Sequence, residues 1–386
     1  MRKAIFKREL EYCFNLFKLS DKQQQNVKNA LFVNPLDITT QYLLKKEFSS
    51  PEKIPEALSK IIINSDFIAD VKTLFEVNDD LELPIILREQ LSRKEKFAVF
   101  VGAGVSKLLG IPLWDELAVR AINYLHEIKK ISFAEAERII HERTSPKQKM
   151  SIFHQILQKK DSIEFYEKCF IPNNKERLSR NPYDELVKIE CPKFSSNLDN
   201  EFLNALNRKT EFDRKEASIA NLPSMPIHIS SGFNKDMVIS TNAIYQVHGS
   251  YQYIEKYSVI TMQDYLFRYF QDREIRLPDF LEKIFNEYVI LFIGYGMEEF
   301  EILRSILNSR GKHHVLVSTY LNDVNLLRVK KEYFEGALGM HAHGYYLDFN
   351  GHDRLYHVIK SWVKKINFEI EGGFYPKIGE FEGVEL

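Results

Sequence analysis

Phe97-Ala98-Val99-Phe100-Val101-Gly102-Ala103-Gly104-Val105-Ser106 is the stretch that decides the fold. Its first five residues are all apolar, so neither face of an extended chain is left polar. A strand buried on both faces reads this way, and such strands belong to parallel sheets covered by helices. The run ends in Gly102-Ala103-Gly104, a tight turn into the next helix. The pattern recurs in Tyr288-Val289-Ile290-Leu291-Phe292-Ile293, which ends at Gly294-Tyr295-Gly296. His314 to Thr319 reads as a further strand, Cys191 to Asn197 as a strand end, and Val238 to His248 as a strand region. Helical spacing fills the gaps: Pro84 to Leu91, Pro278 to Glu287, Phe300 to Leu307, and Trp114 to Ile128 with Leu117, Ala118, Ala121 and Leu125 on one face. Residues 131 to 190 are helical by composition, with breaks at Pro146, Pro172 and Pro182. Strands alternating with helices predict an α/β fold built on a doubly wound parallel sheet, with a helical insertion at about residues 115–190.

The chain of 386 residues suggests two domains, or one large domain with an attachment, and 44% hydrophobic residues are ample for a core. No apolar run reaches the roughly 18 residues of a membrane span. Charge soon interrupts the start, Met1-Arg2-Lys3-Ala4-Ile5-Phe6-Lys7, which makes it a poor signal peptide. Lys and Arg number 53 against 54 Asp and Glu, a net charge of -1 that argues against nucleic-acid binding by bulk electrostatics. Cys13, Cys169 and Cys191 are the three cysteines, with no CxxC pair. A four-cysteine zinc module is therefore excluded, and a reducing cytoplasm is expected. Residues 1 to about 95 contain no glycine; Ser50-Pro51 reads as a helix start, followed by Ile54, Leu58, Ile61 and Ile62 on one face. Residues 1–84 are thus expected to form a helical region for assembly or gating. A tail is expected at 367–386.

Gly102 and Gly104 let backbone approach a pyrophosphate, with neighbouring N–H groups as donors. Ser106 can cap the helix or add a hydroxyl contact. The complete G-x-G-x-x-G pattern is absent because Lys107 occupies its third glycine position, and the phosphate-loop Gly-Lys-Ser/Thr is absent too, so direct ATP hydrolysis is not supported. A plain strand-to-helix turn remains an equal reading. In a doubly wound sheet both glycine turns lie at the carboxyl edge, where ligands bind. Two of them suit an extended ligand such as a dinucleotide. Tyr295 reads either as a pocket residue or as packing.

The turns belong to a longer series. Gly102-Ala103-Gly104-Val105-Ser106 is followed by Gly110-Ile111-Pro112 with Trp114 and Leu117. Then come Ser196-Asn197-Leu198-Asp199, Tyr245-Gln246-Val247-His248-Gly249-Ser250, and Leu291 to Gly296. In order and spacing, residues 85 to 360 resemble the sirtuin-like (silent information regulator) family, and in particular its bacterial antiphage branch, whose members hydrolyse NAD. The resemblance implies a Rossmann-like NAD-binding catalytic domain at about 85–366, without metal. It implies that Gly102, Ala103, Gly104 and Ser106 hold the pyrophosphate and adjoining ribose, with Pro112 beside them. Gly294, Tyr295 and Gly296 would approach the adenosine half. Asn197 and Asp199 match an Asn-x-Asp element beside the nicotinamide ribose, and His248 matches the catalytic histidine. A homo-oligomer, a HerA-like ring ATPase or other phage-sensing partner, and a role in abortive infection are further implications of the family. Membrane and direct nucleic-acid partners are not expected.

The chain departs from the family's deacylases. It lacks the zinc module, Leu113-Trp114-Asp115 replaces the usual Asp-Phe-Arg, and Met297-Glu298-Glu299-Phe300 follows Gly296 where Leu-Ser-Asp-Pro is common. The expected reaction is cleavage of NAD to nicotinamide and ADP-ribose. His248 would serve as base, since an imidazole titrates near neutrality. Asn197 would orient water or ribose, and Asp199 the nicotinamide. An NAD-dependent protein deacylase and a non-catalytic NAD or ADP-ribose sensor are the alternatives. Asn197 and Asp199 can also be read as a turn or a cap for the following helix. His313-His314, His341-x-His343 and His352 do not follow zinc-ligand spacing and are expected to be core or surface residues.

Overall fold

The computed structural model describes residues 80–172, 180–217, 227–229, 233, 236–241, 243–255, 258–271, 277–297, 299–319, 324–347 and 351–372. The helix predicted from Ser50 and the last fourteen residues lie outside the described residues. Helix α1 (Ile85–Ser92) leads into β1 (Phe97–Val101) and the short α2 (Ala103–Lys107). A block of helices follows: α3 (Trp114–Glu127), α4 (Phe133–His141), α5 (Pro146–Ile156), α6 (Ile163–Phe170) and α7 (Pro182–Leu186). Next come β2 (Lys193–Ser195), α8 (Glu201–Ala217), β3 (Ile227–Ile229), β4 (Ile244–Gln246) and α9 (Met262–Leu266). A π-helical turn, Phe267–Gln271, extends α9. The chain continues through α10 (Leu277–Glu287), β5 (Val289–Ile293), α11 (Phe300–Ile306), β6 (His314–Thr319), α12 (Val324–Lys331), β7 (His341–Tyr346) and α13 (Arg354–Glu371).

Local chemistry explains the helical insertion. Pro146 and Pro182 break the pattern by starting helices, each in the first turn where its missing N–H costs nothing. Ser145 and Asn181 cap those helices, and Ser132 caps α4, each accepting a backbone N–H of the first turn. The expected faces are observed: Leu117, Ala118, Ala121 and Leu125 of α3 are buried.

The chain forms two compact units. The larger comprises Leu83–Leu316, Lys331–His343 and Ile359–Leu386. It holds β3-β4-β2-β1-β5 in that order with the first residues of β6 beside β5, and the pairings from β3 to β6 are all parallel. This is the predicted doubly wound, Rossmann-like α/β architecture. Every residue of β1 and β5 is buried, as their unbroken apolar runs require. One register level carries an aromatic row across four strands: Tyr245, Phe194, Phe100 and Phe292. Phe100 lies 5.1 Å from Phe292 and Phe194 lies 5.0 Å from Tyr245, centroid to centroid, and Phe280 and Phe285 of α10 pack on the row. Slipping any strand by one residue would turn its aromatic to the opposite face, so the row helps fix the register.

Among the described residues, the smaller unit comprises residues 80–82, 317–319, 324–330, 344–347 and 351–358. Within it, buried Asp80 forms an ion pair with Arg354 and accepts the Tyr346 N–H at 3.0 Å.

Three expectations need correction. Of the strand region Val238 to His248, only Ile244–Gln246 is a strand, and Val238 is 87% exposed. Its partner β2 is three residues long and follows Pro192, which has no N–H with which to extend the ladder. Of the tail expected at 367–386, residues 367–371 belong to α13, which runs to Glu371. Strands β3 and β7 were not anticipated; His341-Ala342-His343-Gly344 has no apolar run to announce it.

Candidate functional site

The register places the site. Val101 pairs with Ser195 and with Ile293, and Ser195 pairs with Gln246, so these residues end four adjacent strands at one level. The strand order runs one way from β1 to β2 and the other way from β1 to β5. The β1/β5 junction is therefore the switch point at which doubly wound sheets open a crevice. Gly102 and Gly294 each lie one residue beyond this level. Asn197 and His248 each lie two residues beyond it, on neighbouring strands.

The glycine turns pack on each other. Gly104 N–H donates to the Gly294 carbonyl at 2.8 Å, and Gly102 N–H donates to that of Ile293 at 2.9 Å. A Cβ on Gly102 would lie 2.6 Å from the Gly294 oxygen, and one on Gly104 2.8 Å from it. Gly294, with φ +61°, would place a Cβ 2.5 Å from the Val105 nitrogen. Close approach of one turn to the other thus accounts for these three glycines in their own right. Ala103 is half-buried, Pro112 buried and Gly296 exposed. Tyr295 covers Gly102 and meets Phe100 edge-on at 5.3 Å.

Beside the turns lies a closed polar cluster. Asn197 Nδ2 donates to Ser106 Oγ and to the Tyr183 hydroxyl, both at 2.9 Å. Ser106 donates to Asp199 Oδ2 at 2.7 Å, and its oxygen lies 2.6 Å from the Tyr183 hydroxyl. Because the single Ser106 proton goes to Asp199, the Tyr183 proton goes to Ser106. Asp199 Oδ1 also accepts the Glu201 N–H at 3.0 Å, at the start of α8. Asp199 is thus a helix-capping residue as well as part of the cluster. Burial pushes its carboxyl up to about 6, against the Ser106 and Glu201 hydrogen bonds that favour the anion.

His248, 2% exposed, sits under aromatic and acidic groups. Its Nε2 lies 2.9 Å from the Tyr269 hydroxyl and 3.7 Å from Glu299 Oε2. Tyr265 meets the ring edge-on at 5.3 Å. Burial holds the imidazole below its ordinary range; Glu299 opposes that shift, Lys147 adds to it, and Glu301 and a hydrogen bond to the Ser196 backbone oppose it. The ring is therefore neutral near pH 7 and able to accept a proton. That Ser196 bond ties His248 to the residue preceding Asn197.

Residues 194–335 match the family model of the SIR2-like domain. No curated protein matches the chain. The SIR2-like match includes Asn197, Asp199, His248 and the Gly294-Tyr295-Gly296 turn, and it points to NAD-related activity. It begins after Gly102-Ala103-Gly104, which the fold joins to it through Gly294. Among the described residues, no group of three or more His, Cys, Asp or Glu side chains is placed to hold a metal ion. No helix among them is long and apolar enough to cross a membrane.

Sequence reasoning placed the strand ends but missed Tyr183, Tyr269, Lys147 and Glu299. Tyr183 and Tyr269 are two of 19 tyrosines with nothing in the pattern to separate them from packing residues. Glu299 had one signal, the departure from Leu-Ser-Asp-Pro after Gly296. Tyr265 joins the site through Glu299, whereas Tyr245 is core and accepts the Ser240 N–H.

Proposed function

We propose that this protein is an NAD glycohydrolase that cleaves NAD to nicotinamide and ADP-ribose. The observation that carries the reading is the emergence of Asn197 and His248 from adjacent strands beside the β1/β5 switch point, with the imidazole held neutral. The scissile C–N bond joins a cationic pyridinium to ribose, so nicotinamide departs neutral with the bonding electron pair and needs little acid assistance. Charge develops on the sugar. Water adds to the anomeric carbon, and its proton passes to His248 directly or through a ribose hydroxyl. With both Asn197 amide protons donated, its carbonyl oxygen is the group left to orient that water or hydroxyl. Asp199 supports this through Ser106.

The proposed setting is cytoplasmic antiphage defence by abortive infection. Uncontrolled NAD loss would harm the host, so the activity is gated, with a homo-oligomer and a HerA-like ring ATPase or other phage sensor as proposed partners. The test follows nicotinamide release from NAD alone by chromatography. Wild type is expected to turn over, and Asn197→Ala and His248→Ala each to lose at least about 100-fold. Undiminished release by both variants would overturn the site. Release only on addition of an acylated peptide would establish a deacylase, and binding of ADP-ribose without any turnover a sensor.

A further inference from the structure

We propose that Glu299 is a positioning residue for the chemistry at His248, a carboxylate that the loop after β5 holds against the imidazole. The inference rests on the reading of His248 as the base. Glu299 is held from two sides: Tyr295 donates to Oε2 at 2.7 Å and Tyr265 to Oε1 at 3.3 Å. The oxygen held by Tyr295 is the one 3.7 Å from His248 Nε2. Two tyrosine hydroxyls on one carboxylate, drawn from different segments, fix its direction more tightly than an exposed ion pair is fixed.

The loop itself is built for this placement. Gly294 and Met297 both sit in the left-handed region, at φ +61° and +54°. Met297 is a non-glycine residue, is 3% exposed, and lies two positions before Glu299. A side chain is held there at an energetic cost that the surrounding structure must offset, a pattern concentrated at functional sites.

The charged and titratable groups around the ring come from every neighbouring element. Glu299 and Tyr295 belong to the loop after β5, Tyr265 to α9 and Tyr269 to the π-helical turn. Glu301 lies on α11 and Lys147 on α5. Lys147 Nζ stands 3.5 Å from the Tyr265 ring centroid and 3.3 Å from Glu301, so its charge is largely directed to those two groups. Of the two carboxylates, Glu299 is the one within 4 Å of the imidazole, and its influence on the ring is the larger. It compensates part of what burial takes from the ring's basicity, and it steadies the ring when a proton arrives. Removing its charge lowers the imidazole's affinity for that proton.

The test uses full-length protein with labelled histidine and follows the His248 ring by NMR titration, the resonance being assigned from its loss in His248→Gln. In Glu299→Gln the titration midpoint is expected to fall by about one pH unit or more. The acidic limb of nicotinamide release is expected to move to lower pH by the same amount. At pH 7 kcat should drop about 10-fold with KM little changed, because a looser ring is still neutral there. Glu299→Asp should restore part of both. A midpoint coincident with wild type overturns the proposal. Absence of nicotinamide release from wild type would count against the reaction above, while the titration would still decide whether Glu299 acts on His248.

Discussion

Asn197 is oriented by its neighbours. An amide side chain has two donors and one acceptor function, and which end faces the substrate decides what it can bind. Ser106 and Tyr183 take both donors, so the acceptor oxygen is the end of the Asn197 amide not used in the cluster. The donors run in one direction, from Asn197 through Tyr183 and Ser106 to Asp199, which makes Asp199 the acceptor that sets the polarity of the cluster. This placement has a thermodynamic signature. The folded chain holds the Asp199 proton to about pH 6, whereas a carboxyl of ordinary value, 3.8, has lost it well before then. Folded protein therefore binds more protons than unfolded protein between those values, and stability from this group is lost as pH rises through that window. The span corresponds to roughly 3 kcal/mol. Asp199→Asn does not pay this cost. Its stability relative to wild type should rise between pH 4 and pH 7 by an amount of that order, measured by urea unfolding at each pH. A pH-independent difference would mean that the carboxyl is not desolvated.

At the scale of elements, the two glycine turns are a single structure. The sequence announces each as a place where backbone can approach something closely; it does not say what. The fold supplies the partner, since each turn approaches the other. This bears on what was legible. Strands β1 and β5 were readable to within a residue because unbroken apolar runs have one reading at that length. Strands β2, β3 and β4 have three residues each, too few for periodicity to register, and they pair through contacts made far away in sequence. His248 and Asn197 were singled out through family resemblance and their positions just past strands. Tyr183 and Glu299 were not, because nothing in the pattern marks a hydroxyl or carboxylate whose partners the fold brings in. The turn-on-turn contact makes a direct prediction. Gly104→Ala sets a methyl 2.8 Å from the Gly294 oxygen and 2.9 Å from its Cα, backbone atoms that cannot swing aside as a flexible side chain would. Gly294→Ala adds an unfavourable φ to a similar collision. Each should cost about 2 kcal/mol or more. Gly311→Ala meets nothing within 4 Å and, with φ +77°, should cost only about 1–2 kcal/mol of backbone strain. Chemical denaturation of the three variants gives the comparison, and equal losses would show that the contact between turns is not the cause.

On the scale of the whole molecule, the histidines that sequence spacing left without a role set its response to acid. His313 Nδ1 accepts the Ile290 N–H at 3.2 Å, and its Nε2 lies 2.6 Å from Ser309 Oγ. His314 Nε2 faces Gln90 Oε1 at 2.6 Å, and its Nδ1 faces His343 Nε2 at 2.8 Å. An amide oxygen only accepts, so His314 carries its proton on Nε2 and accepts at Nδ1 from His343. A second proton on His314 would point at the one His343 already donates. Burial therefore holds these rings far below the ordinary 6.5: His313 at about 3, with Lys312 adding to the effect, His314 at about 2 beside His343, and His343 at about 3 beside His341. Below pH 6.5 the unfolded chain takes up protons that the folded chain refuses, so stability falls as the pH falls. Each ring contributes roughly 1.4 kcal/mol per pH unit, and the three together on the order of 4 kcal/mol per unit. Asp199 works in the opposite direction but over its whole window supplies only about 3 kcal/mol, so the histidines dominate. Domain stabilities are typically only about 5–15 kcal/mol in total. Thermal unfolding followed by circular dichroism should accordingly show a melting temperature that is level between pH 7 and 8 and falls steeply from pH 6.5 to 5.5, and His343→Gln should flatten the decline by about a quarter or less, because His154, held down to about 4, and His248 also refuse protons over this range. A melting temperature unchanged down to pH 5 would mean that these rings take up protons in the folded state, and the buried histidine chain would then have to be charged.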